Sequence, residues 1–563
     1  MSEPTVAEAV GAALGRLGVD AVFGVVGSGN FHVTNALVAR GARFVAARHE
    51  GGAATMADAY ARVSGRVGLL SVHQGPGLTN ALTGIAEAAK SRTPLLVLAA
   101  DVGAAAVRSN FRIDQAALAG AVGAVPDRLH SAETAIADLA RAYHTAQAER
   151  RTVVLSMPLD VQAAHPGPVT LPDPVPPARP VPARPVPPRQ AIGQLADVLA
   201  GARRPVFIAG RGARLSRAGE PLRALADRTG ALLATSAVAR GLFRGDPYDL
   251  DVSGGFASPL AAELIRGADL LVGWGCALNM WTLRHGNLVG DKTIVVQVDL
   301  DSAALGAHRP IDLGLVGDVA ETARLAADEL ARRDHASPGY RSAELAERLA
   351  CEVRWRDVPY DDSGTDGADG AEGARVDPRT LSIALDDLLP AERTVAVDSG
   401  NFMGYPAMYL AVPDADGLVF TQAFQSIGLG LATAIGAALA RPDRLTVAAL
   451  GDGGALMGVS ELETAVRLRL GLVIVIYDDE AYGAEVHHFG PDGHPLDTVT
   501  FPPADIAEIG RGFGCAAITV RCRADLAGLS DWLAGPRGRP LVVHAKVTAD
   551  HPAWWLEEAF RGH

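Results

Sequence analysis

Cysteine is scarce in this sequence of 563 residues, which contains four. Cys276 and Cys351 stand alone, and Cys515 and Cys522 lie seven positions apart in a segment without nearby histidines. This spacing favours neither a disulfide framework nor a zinc site. We therefore expect buried or incidental thiols and a reducing, cytoplasmic location.

Long apolar runs and basic blocks are also missing. No apolar run approaches the roughly 18 to 20 residues that a membrane span requires, so we expect a soluble protein. The N-terminus lacks a basic segment ahead of an apolar one, which argues against a signal peptide. The 51 Lys and Arg residues against 64 Asp and Glu give a net charge of −13. We therefore expect neither nucleic acid nor a membrane as a partner.

Proline and glycine are concentrated in two stretches that divide the chain into thirds. Residues 166–190 are so rich in proline that no helix or central strand can persist there. Residues 356–378 are acidic, rich in glycine and poor in large apolar side chains, as in a linker or a solvated loop. The sequence thus predicts domains at 1–165, 191–355 and 379–563.

Each third alternates short apolar runs with segments of helical spacing. Examples are DAVFGVV, VGLLSVH and PLLVLAAD in the first third, PVFIAG and TIVVQVDLD in the middle, and LTVAALGDG and LVIVIYDD in the last. The alternation predicts an α/β fold of three doubly wound parallel-sheet domains in series. Ligands bind outside the carboxyl ends of such strands. Candidate site residues are therefore those that directly follow a strand pattern, namely Ser28, Glu50, His73, Asp452 and Asp479.

Carboxylates are crowded at two of these strand ends. Asp452 lies in a Gly-Asp-Gly turn, and Asp479 follows 27 positions later, flanked by Asp478 and Glu480. One strand-helix-strand unit brings both to the same sheet edge, where their charges would repel unless some carboxyls protonate or bind a cation. Oxygen ligands suit magnesium or calcium, and a pair that leaves positions open suits magnesium bound to a diphosphate. The alternative is that one acid caps the turn and the others are solvated.

The stretch LGDGGALMGVSELETAVRLRLGLVIVIYDDEAYG, residues 450–483, resembles a known motif. It is similar to the diphosphate-binding motif of thiamine-diphosphate-dependent enzymes of the acetolactate synthase, benzoylformate decarboxylase and pyruvate decarboxylase group. The resemblance implies that Asp452 and Asp479 bind magnesium by their side chains and Ala481 by its carbonyl. The motif commonly ends in Asn-Asn, and the Asp-Asp of this chain would either weaken cofactor binding or tighten the metal. Further implied cofactor contacts are Gly451, Gly453, Gly454, Tyr482 and Gly483.

A second segment, RFVAARHEGGAATMADAYAR, is similar to the strand and helix that carry the family's glutamate, which falls on Glu50. The resemblance implies a carboxyl of raised pKa that shares a proton with the pyrimidine ring of the cofactor and so promotes proton loss from the thiazolium carbon. From the residues alone, Glu50 could instead cap the helix that starts at Gly51 and Gly52. His49 is expected on the opposite face of the strand, in a structural role.

A third segment, FTQAFQSIGLGLATAIGAALARPDR, is similar to the part of the family that precedes the metal motif. Ile427 falls where an apolar residue wedges the cofactor into its bent conformation. Gln425 falls where a residue that is usually glycine gives its carbonyl to the aminopyrimidine. The glutamine side chain would line the pocket or intrude on it.

The resemblance covers nearly the whole chain. It implies a pyrimidine-binding first domain, a central nucleotide-fold-like domain and a diphosphate-binding last domain. In this group the cofactor lies between the first domain of one subunit and the last domain of another, which implies a homodimer or homotetramer. The middle stretch FIAGRGARLS lacks the third glycine of a GxGxxG fingerprint, so a vestigial nucleotide fold is favoured over an FAD or nicotinamide site.

Polar residues at strand ends of the first third are candidates for substrate contacts. His73 and Ser28 match active-site positions of the benzoylformate decarboxylase branch, whereas Gly75, Pro76 and Gly77 look more like the acetolactate synthase branch. The remaining candidates are His487 and His488 for proton transfer and, for the substrate pocket, Gln74, Phe111, Asp114, Gln115 and Gln425.

Together these features predict a thiamine-diphosphate- and magnesium-dependent carboligase that cleaves a 2-oxo acid and joins the acyl unit to an aldehyde or ketone acceptor. A simple 2-oxo acid decarboxylase is the alternative that Ser28 and His73 favour, and a 2-hydroxyacyl-CoA lyase would need a nucleotide cleft. A non-catalytic cofactor-binding or regulatory homologue is a different class, motivated by Asp479 and Gln425. A flavin- or nicotinamide-dependent oxidoreductase would use the central domain.

Overall fold

Three parallel sheets form the framework of the molecule. The computed structural model describes residues 3–167, 184–364 and 373–559. Each sheet has six strands, and helices flank it. The strands are apolar along most of their length, as in GLLSV and LVIVIYD, because both faces of a parallel sheet are buried. The predicted α/β class and the series of three doubly wound domains are confirmed.

The first domain carries the first sheet. Its strands are β1 (Ala21–Gly24), β2 (Arg43–Ala46), β3 (Gly68–Val72), β4 (Leu95–Asp101), β5 (Val125–Arg128) and β6 (Thr152–Pro158). Its helices are α1 (Val6–Arg16), α2 (Phe31–Ala39), α3 (Glu50–Ser64), α4 (Pro76–Lys90), α5 (Gln115–Ala121), α6 (Ala135–Ala148) and α7 (Leu159–Ala163).

The central domain carries the second sheet. Its strands are β7 (Pro205–Ala209), β8 (Leu232–Thr235), β9 (Asp249–Val252), β10 (Leu270–Trp274), β11 (Ile294–Asp299) and β12 (Leu313–Val316). Its helices are α8 (Arg189–Gly201), α9 (Arg211–Leu215), α10 (Gly219–Thr229), α11 (Pro259–Arg266), α12 (Met280–Leu283), α13 (Val319–Arg332) and α14 (Ala343–Glu352).

The last domain carries the third sheet. Its strands are β13 (Arg393–Val397), β14 (Leu418–Phe420), β15 (Leu445–Gly451), β16 (Leu472–Asp478), β17 (Ala516–Val520) and β18 (Leu541–Lys546). Its helices are α15 (Pro378–Leu388), α16 (Gly404–Tyr409), α17 (Gly430–Ala440), α18 (Asp452–Met457), α19 (Glu461–Arg467), α20 (Gly483–Phe489), α21 (Ile506–Phe513), α22 (Ala527–Ala534) and α23 (Trp554–Ala559).

The first and last domains share one strand order. The first sheet runs β2-β1-β3-β4-β6-β5 and the last runs β14-β13-β15-β16-β18-β17, which is the same order when strands are numbered within each domain. The central sheet runs β12-β11-β10-β7-β8-β9, which is the 3-2-1-4-5-6 order of a dinucleotide-binding fold read in reverse. The first and last domains are therefore two versions of one unit, with a different unit between them.

Equivalent helices join the first and last domains. α3 follows the second strand of the first domain, α17 follows the second strand of the last, and the two helices pack together. Small residues permit a close approach, since a Cβ at Gly436 would lie 2.2 Å from the Met56 carbonyl oxygen. Leu431 and Ile435 of α17 share one apolar core with Ala53 of α3. This contact fixes how the two domains sit within the chain.

The two predicted linkers are described only at their ends. Residues 168–183 of the proline-rich stretch and residues 365–372 of the acidic stretch lie outside the described residues. After the first gap, Arg184 donates hydrogen bonds to the Ser216 carbonyl and the Asp318 carboxylate, which attaches the chain to the central domain.

Two of the four cysteines are buried, as the sequence predicts. Cys276 and Cys515 are buried, and burial raises the pKa of each to about 11, which makes them poor nucleophiles. Cys351 is exposed and Cys522 is half-buried. Separately, none of the described helices combines the length and the apolar character needed to cross a membrane.

Candidate active site

The two strand ends that carry the acidic motif lie side by side. β15 ends at Gly451 and Asp452 begins α18, while β16 ends at Asp478 and Asp479 follows it. The two strands pair in parallel with Gly451 opposite Tyr477. Asp452 and Asp479 therefore stand at the same carboxyl edge of the last sheet.

Two of the three consecutive acids at the end of β16, Asp478 and Glu480, are neutralised by other side chains of the protein. Asp478 accepts hydrogen bonds from His544 Nε2 and Lys546 Nζ of β18, each at 2.6 Å. Glu480 forms ion pairs with Arg375 at 2.7 Å and with Lys546 at 3.2 Å. These two carboxylates thus already have cationic partners, and their ion pairs support the end of the strand.

Asp452 and Asp479 remain as a pair of like charges. Asp452 is 9 % exposed, and burial together with the neighbouring Asp479 raises its pKa to about 8. Burial, with Asp478 nearby, also raises the pKa of Asp479 to about 7. A divalent cation bound to both would offset the cost of these buried charges. The chemistry of the pair fits such a cation.

The size of the acid cluster favours magnesium. Within the described ranges, no group of three or more His, Cys, Asp or Glu could hold a metal ion by itself. A cation on Asp452 and Asp479 would therefore complete its coordination with a carbonyl, water and ligand oxygens, as magnesium does at phosphate sites. Ala481 could supply the carbonyl. It lies in an antiparallel bridge with Thr500, but the hydrogen bonds of this bridge run from Tyr482 N–H to the Val499 carbonyl and from Phe501 N–H to the Glu480 carbonyl. The bridge therefore does not use the Ala481 carbonyl.

Glycines bring the backbone close to the acid pair. A Cβ at Gly483 would lie 2.3 Å from Asp479 Oδ2, and one at Gly453 would lie 2.7 Å from the Tyr482 ring. A side chain at either position would have to displace these neighbours. Beside them is a cavity of about 330 Å³, lined by Asp452, Gly453, Leu456, Met457, Asp478, Glu480, Tyr482, Phe501, Pro502, Ala504 and Ile506.

Asp398 is a site residue that our sequence reasoning missed. It follows β13, is fully buried, and accepts hydrogen bonds from the N–H groups of Ser399, Gly428 and Leu429. Burial raises its pKa to about 6. A Cβ at Gly454 would lie 2.5 Å from Asp398 Oδ2, so the carboxylate joins the turn at Gly428 to the start of α18. The signal was present, because Asp398 directly follows the strand pattern TVAVD.

Gln425 has a backbone conformation that favours glycine. Its φ is +59°, in the left-handed region, where a side chain is strained. Its side chain is exposed in the single chain, and Ile427 is half-buried. The glutamine at this position therefore carries a conformational cost that the glycine usual in the family would avoid.

Glu50 lies at the start of a helix and not at the end of a strand. β2 ends at Ala46, and His49 is the N-cap of α3, with its Nδ1 accepting the Gly51 N–H at 3.0 Å. The expected strand through His49 is therefore wrong, and its structural role is that of a helix cap. Glu50 does not cap the helix; its half-buried carboxylate accepts a hydrogen bond from Asn80 Nδ2 at 3.0 Å.

Ser28 and His73 belong to one local arrangement. His73 follows β3, and its Nδ1 accepts the N–H of Gly29 at 3.1 Å. A Cβ at Gly27 would lie 2.8 Å from the imidazole, so the ring packs directly on the turn that presents Ser28. Burial lowers the pKa of His73, which favours the neutral ring. The Phe111 ring and this imidazole form a T-shaped pair, with 5.2 Å between their centroids.

The other predicted pocket residues of the first domain differ in their availability. Gln74 is buried, and its Oε1 has no hydrogen-bond partner among the described residues. Asp114 caps α5. Gln115 is buried, and its amide bonds to the Ala100 carbonyl at 2.7 Å and the Ser156 hydroxyl at 3.2 Å. These bonds connect Gln115 to β4 and β6, and its contact with substrate stays a prediction.

His487 and His488 lie on α20, the helix that follows the acid pair. Burial and the neighbouring His551 lower the pKa of His487. His488 packs edge-on against Phe489, with 4.5 Å between ring centroids. Both histidines therefore belong to the last domain, with the acid pair, and not to the group around Glu50.

The glycine-rich turn after β7 in the central domain forms backbone hydrogen bonds with the end of β10 and the residue after it. Gly210 donates its N–H to the Trp274 carbonyl, and Gly212 donates to the Gly275 carbonyl. The helix that follows, α9, has five residues. Two amides of the turn are thus already used within the protein, which supports a vestigial nucleotide fold over an FAD site.

Three domain-family models match consecutive parts of the chain. They are the N-terminal TPP binding domain of thiamine pyrophosphate enzymes at residues 4–119, their central domain at residues 192–325 and their C-terminal TPP binding domain at residues 398–545. The chain belongs to the thiamine pyrophosphate enzyme family.

Relatives of this thiamine pyrophosphate enzyme have several different names. The chain is 33% identical over 527 residues to the probable 2-ketoarginine decarboxylase AruI of Pseudomonas aeruginosa, covering 91% of this chain and 89% of the relative. It is 29% identical over 508 residues to a sulfoacetaldehyde acetyltransferase of Castellaniella defragrans, covering 86% and 83%. It is 28% identical over 551 residues to the acetolactate synthase isozyme 2 large subunit of Escherichia coli, covering 97% and 96%.

The acid pair should make the metal-free protein less stable at higher pH. The raised pKa values of Asp452 and Asp479, about 8 and about 7, mean that the folded protein keeps protons that the unfolded chain releases near pH 4. The contribution of the pair to the free energy of unfolding therefore falls as the pH rises from about 4 to about 8. Asp479→Asn should flatten this dependence and raise the Tm of the metal-free protein at pH 8.

Thermal unfolding in a chelating buffer, measured for both proteins between pH 5 and pH 8, tests this prediction. The variant should also need more magnesium for half-saturation, because a neutral amide oxygen is a weaker ligand than a carboxylate. An unchanged pH dependence in Asp479→Asn would contradict our description of the pair.

Proposed function

We propose that this protein uses thiamine diphosphate and magnesium to decarboxylate a 2-oxo acid. The observation that carries the proposal is the pair of Asp452 and Asp479, whose pKa values are raised by burial and by neighbouring carboxylates, whereas cationic side chains neutralise Asp478 and Glu480 beside them. A buried acid pair beside a cavity that Asp452 and Gly453 help to line suits magnesium bound to a diphosphate.

The residues of the last domain would hold the cofactor. Asp452 and Asp479 would bind magnesium with their side chains, and Ala481 with its carbonyl. Gly453 and Gly483 allow the backbone to approach the diphosphate closely. The half-buried Ile427 would support the cofactor between its two rings. When bound, thiamine diphosphate supplies the group that stabilises negative charge on the acyl carbon after loss of carbon dioxide.

Glu50 of the first domain would handle the proton at the pyrimidine ring. The bond from Asn80 orients its carboxyl at the start of α3, and the neighbouring cap by His49 leaves the carboxyl unused by the helix. Held against the cofactor, this carboxyl could give a proton to the ring and take it back.

Ser28 and His73 would contact the substrate. The imidazole packs on the turn that carries Ser28, so a hydroxyl and a neutral ring are presented together. Such a pair suits a carboxylate and a proton transfer, which favours decarboxylation with release of an aldehyde. Ligation of the acyl unit to an aldehyde or ketone acceptor is the second candidate, supported by the relatives named acetolactate synthase and sulfoacetaldehyde acetyltransferase.

The active form would be at least a homodimer, and the homotetramer is the larger alternative. The residues around Glu50 belong to the first domain, and the acid pair belongs to the last domain. A second subunit would complete the site by placing its last domain against the first domain of this chain. Apolar side chains near both groups are exposed in the single chain, namely Phe111 at 41 %, Phe424 at 44 % and Met457 at 61 %. An assembly would bury them.

Product analysis tests the proposal. Pyruvate and 2-ketoarginine, the substrate suggested by the name of one relative, should be assayed for carbon dioxide release with and without an added aldehyde. A free aldehyde indicates decarboxylation, and a hydroxyketone indicates ligation. If a broad panel of 2-oxo acids gives no turnover while the cofactor binds, the protein is a non-catalytic member of the family.

A further inference from the structure

Two buried glutamates form the same kind of hydrogen bond between the first and last domains. Glu87 on α4 accepts hydrogen bonds from the consecutive backbone N–H groups of residues 423 and 424, at 3.2 and 2.7 Å. Glu461 on α19 accepts from the consecutive N–H groups of residues 48 and 49, at 3.0 and 3.1 Å. Glu87 is 0 % exposed and Glu461 is 3 % exposed. Each carboxylate thus satisfies two backbone donors of the other domain.

The two contacts occupy equivalent positions in the shared fold. α4 follows the third strand of the first domain, and the stretch with α18 and α19 follows the third strand of the last. Both pairs of N–H groups lie between the second strand of their domain and the helix that comes next. The contacts are therefore related by the likeness of the two domains, with the roles of donor and acceptor exchanged.

Each contact holds the segment that leads directly into site residues. Residues 48 and 49 immediately precede Glu50, and residues 423 and 424 immediately precede Gln425, two positions before Ile427. Gly52 is also shaped by the contact, since a Cβ there would lie 2.5 Å from Glu461 Oε1. A shift of either carboxylate would therefore be passed on to the neighbouring site residues.

The two glutamates differ in how their charge is supported. Burial opposes the charge on Glu87, but the Arg62 guanidinium at 2.8 Å holds the pKa of Glu87 below its usual range. Burial raises the pKa of Glu461, which relies on the Thr464 hydroxyl at 2.6 Å and the two backbone donors. Truncation of Glu461 would leave two backbone N–H groups without their acceptor. Unlike truncation of Glu87, it would not also remove an ion-pair partner from a buried arginine.

We propose that Glu461 is a positioning residue for Glu50 and that Glu87 is its counterpart for residues 425–427, so that each domain fixes the catalytic segment of the other. We call the bonds from residues 48 and 49 to Glu461 and from residues 423 and 424 to Glu87 the crossed carboxylate contacts. The evidence for these contacts is their geometry alone. Their effect on turnover rests on the function proposed above.

Amide hydrogen exchange of the full-length protein, resolved by mass spectrometry, tests the crossed carboxylate contacts. Glu461→Ala should raise exchange at residues 48 and 49 by about tenfold or more and leave residues 423 and 424 unchanged. Glu87→Gln, which keeps an oxygen acceptor beside Arg62, should raise exchange at residues 423 and 424 alone, since a neutral amide is a weaker acceptor. Glu461→Gln should likewise retain part of the protection.

Glu463→Ala is the matched control. Glu463 lies on the same helix, two positions from Glu461, but pairs with the side chain of Arg48 and not with the backbone. This variant should leave exchange at residues 48 and 49 unchanged. If Glu461→Ala leaves that exchange unchanged in the folded protein, or raises exchange equally in both segments, the crossed carboxylate contacts are overturned.

Turnover in two backgrounds tests the positioning role. Glu461→Ala should lower kcat about tenfold or more when Glu50 is present, with little further effect in the Glu50→Gln protein. An equal loss in both backgrounds overturns the positioning role of Glu461. A wild-type protein without turnover contradicts the proposed function, whereas the crossed pattern of exchange would still support the contacts.

Discussion

Glu50→Gln should lower kcat by about a thousandfold, within the 10²- to 10⁴-fold range typical of proton-transfer groups, while the protein stays folded and binds cofactor. Glutamine keeps the shape of the side chain and can accept the hydrogen bond from Asn80. It cannot hold or release a proton at the position of the carboxyl. The measurements are kcat with the preferred 2-oxo acid and the cofactor affinity from calorimetry.

Asn80→Ala provides the graded control for this prediction. It removes the donor that orients Glu50 but leaves the carboxyl, so kcat should fall by about tenfold and by much less than in Glu50→Gln. Undiminished turnover in Glu50→Gln would remove Glu50 from the proposed mechanism. Equal losses in the two variants would mean that the position of the side chain matters and its proton does not.

Asp452→Ala should weaken magnesium-dependent binding of thiamine diphosphate by about a hundredfold or more, because it removes one of the two side chains proposed to bind the metal. Asp452 is nearly buried, and its charge is opposed by Asp479, so its carboxylate is stabilised when a cation is present. The measurement is the Kd of the cofactor at several magnesium concentrations.

Glu480→Gln is the matched control, one position from Asp479. Glu480 carries the same charge as the acid pair, but Arg375 and Lys546 already neutralise it. Its replacement should change the Kd by no more than about threefold, as expected for a partly exposed ion pair. If Glu480→Gln weakened binding as much as Asp452→Ala, the general charge of the strand end would explain the effect, and the specific role of Asp452 would be wrong.

Much of the fold was predictable from local patterns. Buried parallel strands such as β3 and β16 are continuous apolar runs, and glycine or acidic residues mark their ends. The alternation of strands and helices therefore predicts the three sheets, and the strand-end rule selects Ser28, His73, Asp452 and Asp479. Asp398 obeys the same rule and could have been found by applying it to every strand.

The partners of the acids could not be predicted in this way. His544 and Lys546 neutralise Asp478 from β18, which lies beside β16 because of the strand order of the sheet. Periodicity gives strands but not their order, so the sequence could not separate Asp479 from its two neighbours. The cap by His49 was missed for a related reason, since the exact end of β2 depends on tertiary packing.

Contacts between domains were also beyond the sequence pattern. Glu461 appears in the sequence as one of several acids of an amphipathic helix, and nothing nearby indicates that it bonds to residues 48 and 49. The left-handed φ of Gln425 is similarly a property of the folded turn. The contact made by Glu461 depends on how the first and last domains pack together.

Calorimetric titration of the wild-type protein with thiamine diphosphate, with and without magnesium, tests the central claim most directly. The claim is that Asp452 and Asp479 form a cation site for a diphosphate cofactor. We predict saturable binding with magnesium and binding weaker by about a hundredfold or more in a chelating buffer. Equal affinity without the metal, or no binding with it, would contradict the claim.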